Sequence, residues 1–441
     1  MYSLDSRFSL YCRRPLITAV VLIFSVAVLS SCRKEPRDTT PPRISITSPN
    51  VNATFYYQNT IEIDAEISDD RNIERVLVEI ISPSNVRFLQ STAFYPNTSQ
   101  TNVRWTAVHD DLFLESGTYL IKITANDGEN KAIGFGEIQL VAAPRLLERV
   151  CIVSSDNTSS TIDTLNGTML QPWLNYGHAY RFGGIDARSN LLVISGENPT
   201  SLSSYIYPEM TTESSVLPSS AASLTAFHHD RQGQKFYWGD ISGNLFVSDR
   251  NGSRAFSSIG FGYPLKVIYT STEHVIAVAR STDNSTSYLN IYPKSSSFPS
   301  HSMTIDWEVT GAVPLASNEE LIVLSGNEND TGHFAYFNLN TSAINENFSF
   351  YDNSVVSALY AGEGNDLYAI QGAGIVRYTN NFSSYSIQTN SHPSKLVYDD
   401  LFHTVWTVEN DGVHRYNDAL TQELLHVPMS NAGDIWLKYN K

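Results

Sequence analysis

The sequence predicts an all-β protein with two folded domains. Its 441 residues exceed the roughly 100–200 residues of one typical domain. Apolar and polar residues alternate with a period of two in many short segments, which is typical of half-buried strands, and residues 41–141 show no helical periodicity. From residue 186 onward, one short pattern of turn residues followed by an apolar run recurs. These observations favour a small β domain followed by a repetitive one.

The composition excludes several functional classes. Lys and Arg total 29 against 45 Asp and Glu, which gives a net charge of −16. Because nucleic acid and anionic lipid surfaces attract basic proteins, this charge disfavours both as electrostatic partners, and we expect no nucleic acid partner. Three cysteines are too few for a disulfide scaffold or a cysteine-rich metal protein. We expect Cys151, in the apolar run 150–153, to be a buried, unreactive thiol.

The N-terminus has the pattern of a secretory signal peptide. Residues 1–15 contain three arginines and one acidic residue, Asp5. Residues 16–29 form an uncharged, almost wholly apolar run of 14 residues. This run is shorter than the ~20 residues that a membrane-spanning helix needs. A basic segment followed by a short apolar one predicts a signal that is removed from the mature protein.

The end of the apolar run, Leu29-Ser30-Ser31-Cys32, resembles the bacterial lipobox. The resemblance implies a signal peptide at residues 1–31, cleavage before Cys32, and attachment of lipid to that cysteine, followed by a tether at residues 32–40. The alternative is an ordinary signal peptide with a chance cysteine. Residue 33 is Arg, not the Asp that retains lipoproteins at the inner membrane, and Arg33-Lys34-Glu35 resembles the surface-export signals of Bacteroidota lipoproteins. The resemblance implies an outer-membrane lipoprotein on the periplasmic or cell-surface side.

Residues 41–141 predict a β-sandwich. Apolar residues alternate with polar ones in IEIDAEISDD and in TYLIKITAN, and turn residues separate the segments. These segments, with PPRISITSPN before them and DGENKA at the end, resemble the bacterial Ig-like domains of secreted proteins. The resemblance implies a spacer or adhesion module without catalytic activity. Residues 142–145 are the expected linker to the second domain.

Residues 146–441 predict a β-propeller. The first apolar residues after the recurring turns are separated by 45, 39, 46, 46 and 38 residues, and they are Leu191, Phe236, Val275, Leu321, Leu367 and Val405. Blades of four-stranded propellers repeat at about 40–50 residues. The lone C-terminal strand 434–439 and three strands near residues 150–170 would complete one further blade. We therefore predict seven blades, with six or eight as alternatives, and no subfamily motif recurs.

The loops of the first domain contain a candidate cation site. Asp69 and Asp70 lie in one loop, and Asp127 lies in another. Carboxylate oxygens at one end of a sandwich could bind Ca²⁺. The alternative is that these residues stabilise turns by bonding to their own backbone, as Asp often does.

Three other segments are weaker candidates for binding or modification. Trp173, in the polar segment Gln171-Pro172-Trp173, is a candidate ligand-binding platform, since aromatic rings stack on sugars and mark interfaces. Thr39 lies in an Asp-Thr-Thr triplet that resembles the Bacteroidota O-glycosylation acceptor. His228-His229-Asp230 could bind a transition metal, but adjacent strand residues point to opposite faces, which favours a turn instead.

The preferred interpretation is a lipid-anchored cell-envelope binding or scaffold protein, not an enzyme. Its propeller would present a face to a protein or glycan ligand, and no cofactor is expected. The sequence lacks G-x-S-x-G, HExxH, CxxC and P-loop motifs. One alternative is an extracytoplasmic enzyme that acts on polysaccharide through carboxylates, or a His with a carboxylate, at the central funnel. Another is a structural subunit of an envelope complex.

Overall fold

The computed structural model describes a protein built from strands alone. It covers residues 38–82, 91–197, 202–207, 209–212, 223–231, 233–256, 262–283, 285–315, 318–329, 331–352, 354–379, 384–389 and 392–441. Every regular element in these ranges is a β-strand, which confirms the predicted all-β class. It follows that these residues include no helix able to cross a membrane. The predicted signal peptide and Cys32 lie outside the described residues.

The chain divides into two compact units between Ala143 and Pro144, within the predicted 142–145 linker. Unit 1 contains eight strands among its described residues: β1 (Arg43–Ser48), β2 (Ala53–Tyr56), β3 (Thr60–Ile73), β4 (Arg75–Ile81), β5 (Thr92–Phe94), β6 (Thr98–Val108), β7 (Gly117–Asn126) and β8 (Lys131–Val141). They form a three-stranded sheet, β1-β3-β6, and a five-stranded sheet, β2-β8-β7-β4-β5. All pairs are antiparallel except β2 with β8.

The two sheets of unit 1 share one hydrophobic core. Ile61, Ile63 and Ile67 of β3 are fully buried, whereas the polar residues between them remain exposed or half-buried. Ile121 and Ile123 of β7 belong to the same buried cluster. The period-two alternation seen in the sequence therefore directs one face of each sheet to a shared interior.

Unit 2 contains seven four-stranded sheets among its described residues. The first sheet in the chain has β9 (Leu147–Ser155), β10 (Ser160–Asn166) and β11 (Met169–Tyr176), and it is completed by β36 (Ala432–Tyr439). The next three sheets comprise β12 (Tyr180–Asp186), β13 (Leu191–Gly196), β14 (Leu202–Ile206) and β15 (Thr211–Thr212); β16 (Leu224–Asp230), β17 (Lys235–Asp240), β18 (Leu245–Asp249) and β19 (Gly252–Ala255); and β20 (Leu265–Thr270), β21 (His274–Arg280), β22 (Ser287–Pro293) and β23 (His301–Ile305).

The last three sheets follow the same antiparallel order. They comprise β24 (Glu308–Leu315), β25 (Asn318–Glu328), β26 (Thr331–Asn338) and β27 (Ala343–Asp352); β28 (Val356–Ala361), β29 (Leu367–Gln371), β30 (Gly374–Tyr378) and β31 (Ser384–Gln388); and β32 (Lys395–Asp399), β33 (Thr404–Glu409), β34 (Gly412–Asn417) and β35 (Glu423–Pro428). In these six sheets each strand pairs with the next one in the chain, so each sheet is a meander of consecutive hairpins.

The innermost strands of the sheets form a closed ring. β12, β16, β20, β24, β28, β32 and β36 each contact the next in this order, and β36 contacts β12. Four-stranded sheets arranged radially around a central axis define one architecture. Unit 2 is a β-propeller.

The two ends of unit 2 meet in one sheet, as the sequence predicts. β36 pairs antiparallel with β9, and Trp436 lies opposite Cys151. Cys151 is fully buried at this junction, and burial raises the pKa of its thiol to about 12. Trp238 and Trp406 are also buried, so both tryptophans serve as core residues, and their strands β17 and β33 are buried on both faces.

The close approach of neighbouring sheets makes Gly311 a sensitive position. A Cβ atom at this residue would lie 2.4 Å from Cβ of Leu359 and 3.0 Å from its backbone nitrogen. We therefore expect Gly311→Ala to lower the free energy of unfolding by about 1–3 kcal/mol, the usual cost of overpacking. Urea unfolding followed by tryptophan fluorescence measures the change.

The matched control for that substitution is Gly177→Ala. Gly177 is exposed, and a Cβ atom there would meet no atom within 4 Å. The expected change is within about 0.5 kcal/mol, as for most surface substitutions. Equal stability of the two variants would contradict the close packing of β24 against β28.

Candidate functional site

A central channel runs along the axis of the propeller. Its volume is about 840 Å³, and residues from all seven innermost strands line it. The lining combines small or apolar residues, such as Gly183, Ala312 and Ile435, with charged ones, such as Lys266 and Lys395. Because sheets from the whole of unit 2 contribute, the channel brings together residues that are far apart in sequence.

A β-bulge recurs at the start of the innermost strands. In six of them the register shifts around one extra residue, and these residues are Arg181, Thr225, Lys266, Thr310, Ser357 and Gly433. In the seventh sheet, Ser394 lies directly before β32 and completes the set. We call these seven residues the bulge ring. A bulge re-aims a side chain relative to the regular strand, which makes this ring a distinct feature of one channel mouth.

The hydroxyl members of the bulge ring make equivalent hydrogen bonds. Each hydroxyl donates to a carbonyl of the neighbouring strand in the same sheet, at 3.2–3.5 Å, and the four donors are Thr225, Thr310, Ser357 and Ser394. The equivalence shows that the four positions correspond structurally, although the sequence around them differs. A hydroxyl can also rotate toward a ligand.

Positive charge collects at this mouth. Among the described residues, neither Arg181 nor Lys266 has a carboxylate within 4.0 Å, and Arg181 makes only a long hydrogen bond of 3.5 Å to Ser223. Burial and the nearby charges of Arg280 and Arg181 lower the pKa of Lys266. Arg280 is neutralised by a close contact with Glu308. The bulge ring therefore retains two cations for which the described residues supply no carboxylate at ion-pair distance.

The neighbouring Lys395 is held in place by a carboxylate. Its ammonium lies 3.1 Å from Oδ2 of Asp434, and this carboxylate also accepts a 2.5 Å hydrogen bond from the hydroxyl of Tyr180. Burial, together with the charge of Asp434, raises the pKa of Tyr180, so the hydroxyl remains a donor. This triad links β12, β32 and β36 at the ring closure.

The opposite end of the channel contains the predicted His228-His229-Asp230 segment. Nε2 of His228 lies 3.0 Å from the Thr270 hydroxyl, whereas His229 faces Asp186 on the other side. Oδ1 of Asp230 accepts a hydrogen bond of 2.9 Å from the backbone of Gly233. The residues therefore point in different directions, and the turn interpretation is the one that the structure supports.

His229 and Asp186 form a histidine–carboxylate pair, and His229 lines the channel. Nε2 of His229 lies 3.4 Å from Oδ1 of Asp186, whose other oxygen accepts a 2.7 Å hydrogen bond from the Ser189 backbone. Burial lowers the pKa of His229, so the ring is neutral near pH 7. Burial alone would raise the pKa of Asp186, but hydrogen bonds from His229 and Ser189 lower it.

Trp173 is packed within the outer part of its sheet. The ring is half-buried and meets the ring of Tyr207 edge to face, with centroids 5.5 Å apart. The guanidinium of Arg149 lies 5.4 Å from the Trp173 centroid. This packing accounts for the tryptophan without a ligand, and its role as a binding platform stays a prediction.

In unit 1, Asp69 and Asp127 meet at the same end of the sheets. The predicted loop position of Asp69 and Asp70 is wrong, because both lie within β3, where its register with β6 shifts between Ser68 and Ile73. Asp127 lies in the turn between β7 and β8, as predicted. Oδ1 of Asp127 accepts hydrogen bonds from the backbone amides of Glu129 and Asn130, at 2.7 and 2.5 Å. Burial raises the pKa of Asp69 to about 6, and the nearby Asp127 charge also raises it. Burial opposes ionisation of Asp127, but the two amides lower its pKa. The structure therefore brings Asp69 close to Asp127, as the cation-site interpretation requires. It also contains the backbone hydrogen bonds that the turn interpretation predicts for Asp127.

Asp38 joins this cluster, although the sequence placed it in the tether. Carboxylate oxygens of Asp38, Asp69 and Asp70 lie within 4.8 Å of one another. The Asp38 side chain is buried, its amide donates to Glu129 at 2.7 Å, and Arg71 lies 3.4 Å from its carboxylate. Nothing in the unpatterned sequence around residue 38 predicted this contact. We call Asp38, Asp69 and Asp70 the acidic cluster.

Thr39 is exposed next to Asp38. Exposure is a requirement for the glycosylation that the sequence predicts, and modification at this residue stays a prediction. Cys32, the predicted site of lipid attachment, lies seven positions upstream, outside the described residues.

Comparison with known proteins supports the fold of unit 2. No family model matches the chain, and no curated protein matches it. Saccharomyces cerevisiae Sqt1 is similar in structure, with a TM-score of 0.50 and 12% identity over 65% of this chain and 84% of that one. The Cps50 (Swd1) β-propeller domain of Myceliophteria thermophila gives 0.45 and 9%, over 57% and 87%. Dihydro-heme d1 dehydrogenase NirN gives 0.45 and 11%, over 66% and 75%. At these identities the likeness concerns the fold alone.

The predicted Ca²⁺ site can be tested by hydrogen exchange. A ligand at 100 times its dissociation constant stabilises the native state by about 2.7 kcal/mol. We expect saturating Ca²⁺ to slow exchange in peptides that cover residues 66–72 and 126–130 by up to about 100-fold, the same free energy expressed as a rate ratio. The effect should disappear in Asp69→Asn.

Asp64→Asn is the control for that experiment. Asp64 lies on the same strand and pairs with the exposed Arg104 at 2.7 Å, away from the acidic cluster. This variant should keep the response to Ca²⁺. Unchanged exchange in the wild-type protein would show that turn bonding is the whole role of these carboxylates.

Proposed function

We propose that this protein is a lipid-anchored cell-envelope binding protein whose propeller binds an anionic group of its ligand at the bulge ring. The observation that carries the proposal is the pair of cations Arg181 and Lys266 at one mouth of the channel, for which the described part of the chain supplies no carboxylate within 4.0 Å. The chain as a whole is strongly acidic, with a net charge of −16. A local cationic site on such a chain attracts an anion by its own field, not by the overall charge.

The chemistry of the ring favours a carboxylate, sulfate or phosphate group. An arginine guanidinium binds such groups through two parallel hydrogen bonds, and a lysine ammonium adds a compact charge. Hydroxyls of Thr310 and Ser357 lie at equivalent positions and can donate to the remaining oxygens. Acidic side chains of a protein and uronic acids of a glycan both carry this group.

Within this proposal, each of the seven sheets of unit 2 is one blade, and unit 1 is an Ig-like spacer. The two sheets of unit 1 around one core support an Ig-like sandwich. The Tyr119 hydroxyl donates to the Glu115 carbonyl at 2.9 Å, an arrangement similar to the tyrosine corner of such domains. The blade assignment agrees with the repeat spacing in the sequence, and the Ig-like assignment agrees with the resemblance of residues 41–141 to bacterial Ig-like domains.

The proposed location is the outer membrane of a Bacteroidota-type bacterium, with Cys32 as the site of lipid attachment. Support comes from the lipobox-like end of the signal segment and from the absence of Asp at residue 33. Two or more acyl chains give stable anchoring, since each buried CH₂ contributes about 0.8 kcal/mol.

A second candidate function is an extracytoplasmic enzyme that acts on polysaccharide. The favouring observation is the His229–Asp186 pair, in which a neutral imidazole at the channel is oriented by a carboxylate. Such a pair is the usual arrangement of a general base. A binding role ranks first because Arg181 and Lys266, which no described carboxylate pairs, lie at the other end of the channel from the His229–Asp186 pair.

Site-specific photo-cross-linking tests the proposed ligand site. A photoreactive amino acid replaces Ser357 in the bulge ring, and intact cells are irradiated. We expect a defined cross-linked product that falls at least about tenfold in Arg181→Glu/Lys266→Glu, because one charge-assisted hydrogen bond contributes about 1.5–3 kcal/mol. Mass spectrometry of the product and an array of acidic and neutral glycans distinguish a protein ligand from a uronate-containing glycan.

The control is Arg231→Glu/Arg250→Glu, which makes the same change of charge at Arg231, in the channel lining at its opposite end, and at Arg250, in the turn between the outer strands β18 and β19. This variant should cross-link as the wild type does. No product, or a product equally reduced by both double variants, would refute binding at the bulge ring. Turnover of a bound glycan that is lost in His229→Gln would instead favour the enzymatic alternative.

Anchoring is tested separately by replacing Cys32. Wild-type protein should incorporate labelled palmitate and partition into detergent, whereas Cys32→Ala should do neither. Cys151→Ala is the control, because this thiol is buried and should not affect lipidation. Protease treatment of intact and lysed cells then distinguishes the cell surface from the periplasm. Membrane partition of Cys32→Ala equal to wild type would contradict the lipid anchor.

A further inference from the structure

Two histidines and a carboxylate converge on the two outer strands of the last sheet of the propeller. His414 on β34 lies directly opposite His426 on β35, so the two side chains share one face of the sheet. Their rings stack with centroids 4.2 Å apart and an interplanar angle of 11°. The tight turn between β33 and β34 places Asp411 beside them. One ligand atom from each of the three residues lies within 4.8 Å of the others.

The same nitrogen of both histidines faces the aspartate. Nε2 of His414 lies 3.0 Å from Oδ1 of Asp411, and Nε2 of His426 lies 3.9 Å from Oδ2. Two imidazole nitrogens and a carboxylate are the donor set that zinc and related divalent ions bind in proteins. The direction of both nitrogens toward one carboxylate defines a point where an ion could contact all three groups.

The other ring nitrogen of His414, Nδ1, contacts a second carboxylate. Nδ1 lies 2.8 Å from Oε1 of Glu423, which fixes the orientation of the ring and leaves Nε2 for a ligand. Metal-binding histidines almost always donate their remaining N–H to a carboxylate or carbonyl in this way. The His414 side chain is 5% exposed, so its position is set by the surrounding sheet.

Charge also favours a cation at this position. Asp411, Glu423 and Glu409 supply three carboxylates around His414, and Oε2 of Glu409 lies 3.9 Å from Nε2. Oε1 of Glu409 is held by the hydroxyls of Thr407 and Tyr416, at 2.8 and 3.0 Å. A divalent ion would offset this accumulation of negative charge.

We propose that Asp411, His414 and His426 bind a first-row divalent transition metal ion, with Glu423 as the residue that positions His414. The Asp411 and His426 side chains are 44% and 39% exposed, so the site is open to solvent on one side. Water or a ligand of the protein would complete the coordination. This site is independent of the proposed anion site in the channel.

The test is titration of the untagged, full mature chain with Zn²⁺ by isothermal calorimetry. We expect one site that is lost in His414→Gln and in His426→Gln. Glu423→Gln should weaken binding by about 10–100-fold, the usual effect of removing the carboxylate partner of a metal-bound histidine. Co²⁺ as a second probe should give visible absorption bands that the same variants abolish.

Two controls distinguish this site from other carboxylates and histidines. His403→Gln removes an exposed histidine that pairs with Glu363 on the same unit, and it should bind Zn²⁺ as wild type does. Asp69→Asn in the acidic cluster should likewise leave the site intact. Circular dichroism of His426→Gln without metal checks the fold, since this half-exposed side chain can be replaced without opening the core. Failure of the wild type to bind Zn²⁺, or binding unaffected by His426→Gln, would overturn the proposal.

Discussion

The ring of the propeller depends on the pairing of β36 with β9. The other six sheets of unit 2 are each built from consecutive strands, whereas this sheet joins residues 432–439 to residues 147–155. Without this pairing, β9 would present an unpaired edge, and β36 would not be held against β12. Burial of Trp436, Leu437 and Cys151 at the junction couples the pairing to the core. The two ends of unit 2 therefore stabilise the whole ring.

Closure of the propeller ring also determines which side chains surround the channel. Seven strands that start at the same level place equivalent residues around one axis, and a recurring bulge distinguishes those residues from the rest of each strand. In most sheets the bulged residue is a hydroxyl or glycine, but Arg181 and Lys266 introduce charge at this level. Asp434, which could have neutralised the mouth, instead binds Lys395 and Tyr180. Local pairing, not net charge, decides the electrostatic character of the mouth.

Polar clusters on the two units illustrate how β-sheets gather ionisable groups. On the propeller, cross-strand register alone places His414 beside His426, and the adjacent turn contributes Asp411. On unit 1, the irregular part of β3, the turn after β7 and the segment before β1 bring carboxylates together, and burial raises the pKa of Asp69. In both cases the spacing in sequence is uninformative, because the residues belong to separate strands or loops. Each cluster requires its own test of cation binding.

The sequence by itself determined the strand content, the burial of alternating residues and the pairing of the two ends of unit 2. Alternation with a period of two fixes which face of a strand is buried, so Ile61 and Ile63 could be assigned to the core of unit 1 directly. The orientations of His228 and His229 followed from the same rule. The bulge ring, the position of Asp38 and the convergence of His414, His426 and Asp411 were decided only by the tertiary structure. Local patterns specify faces, whereas register and ring closure bring distant side chains within a few ångströms.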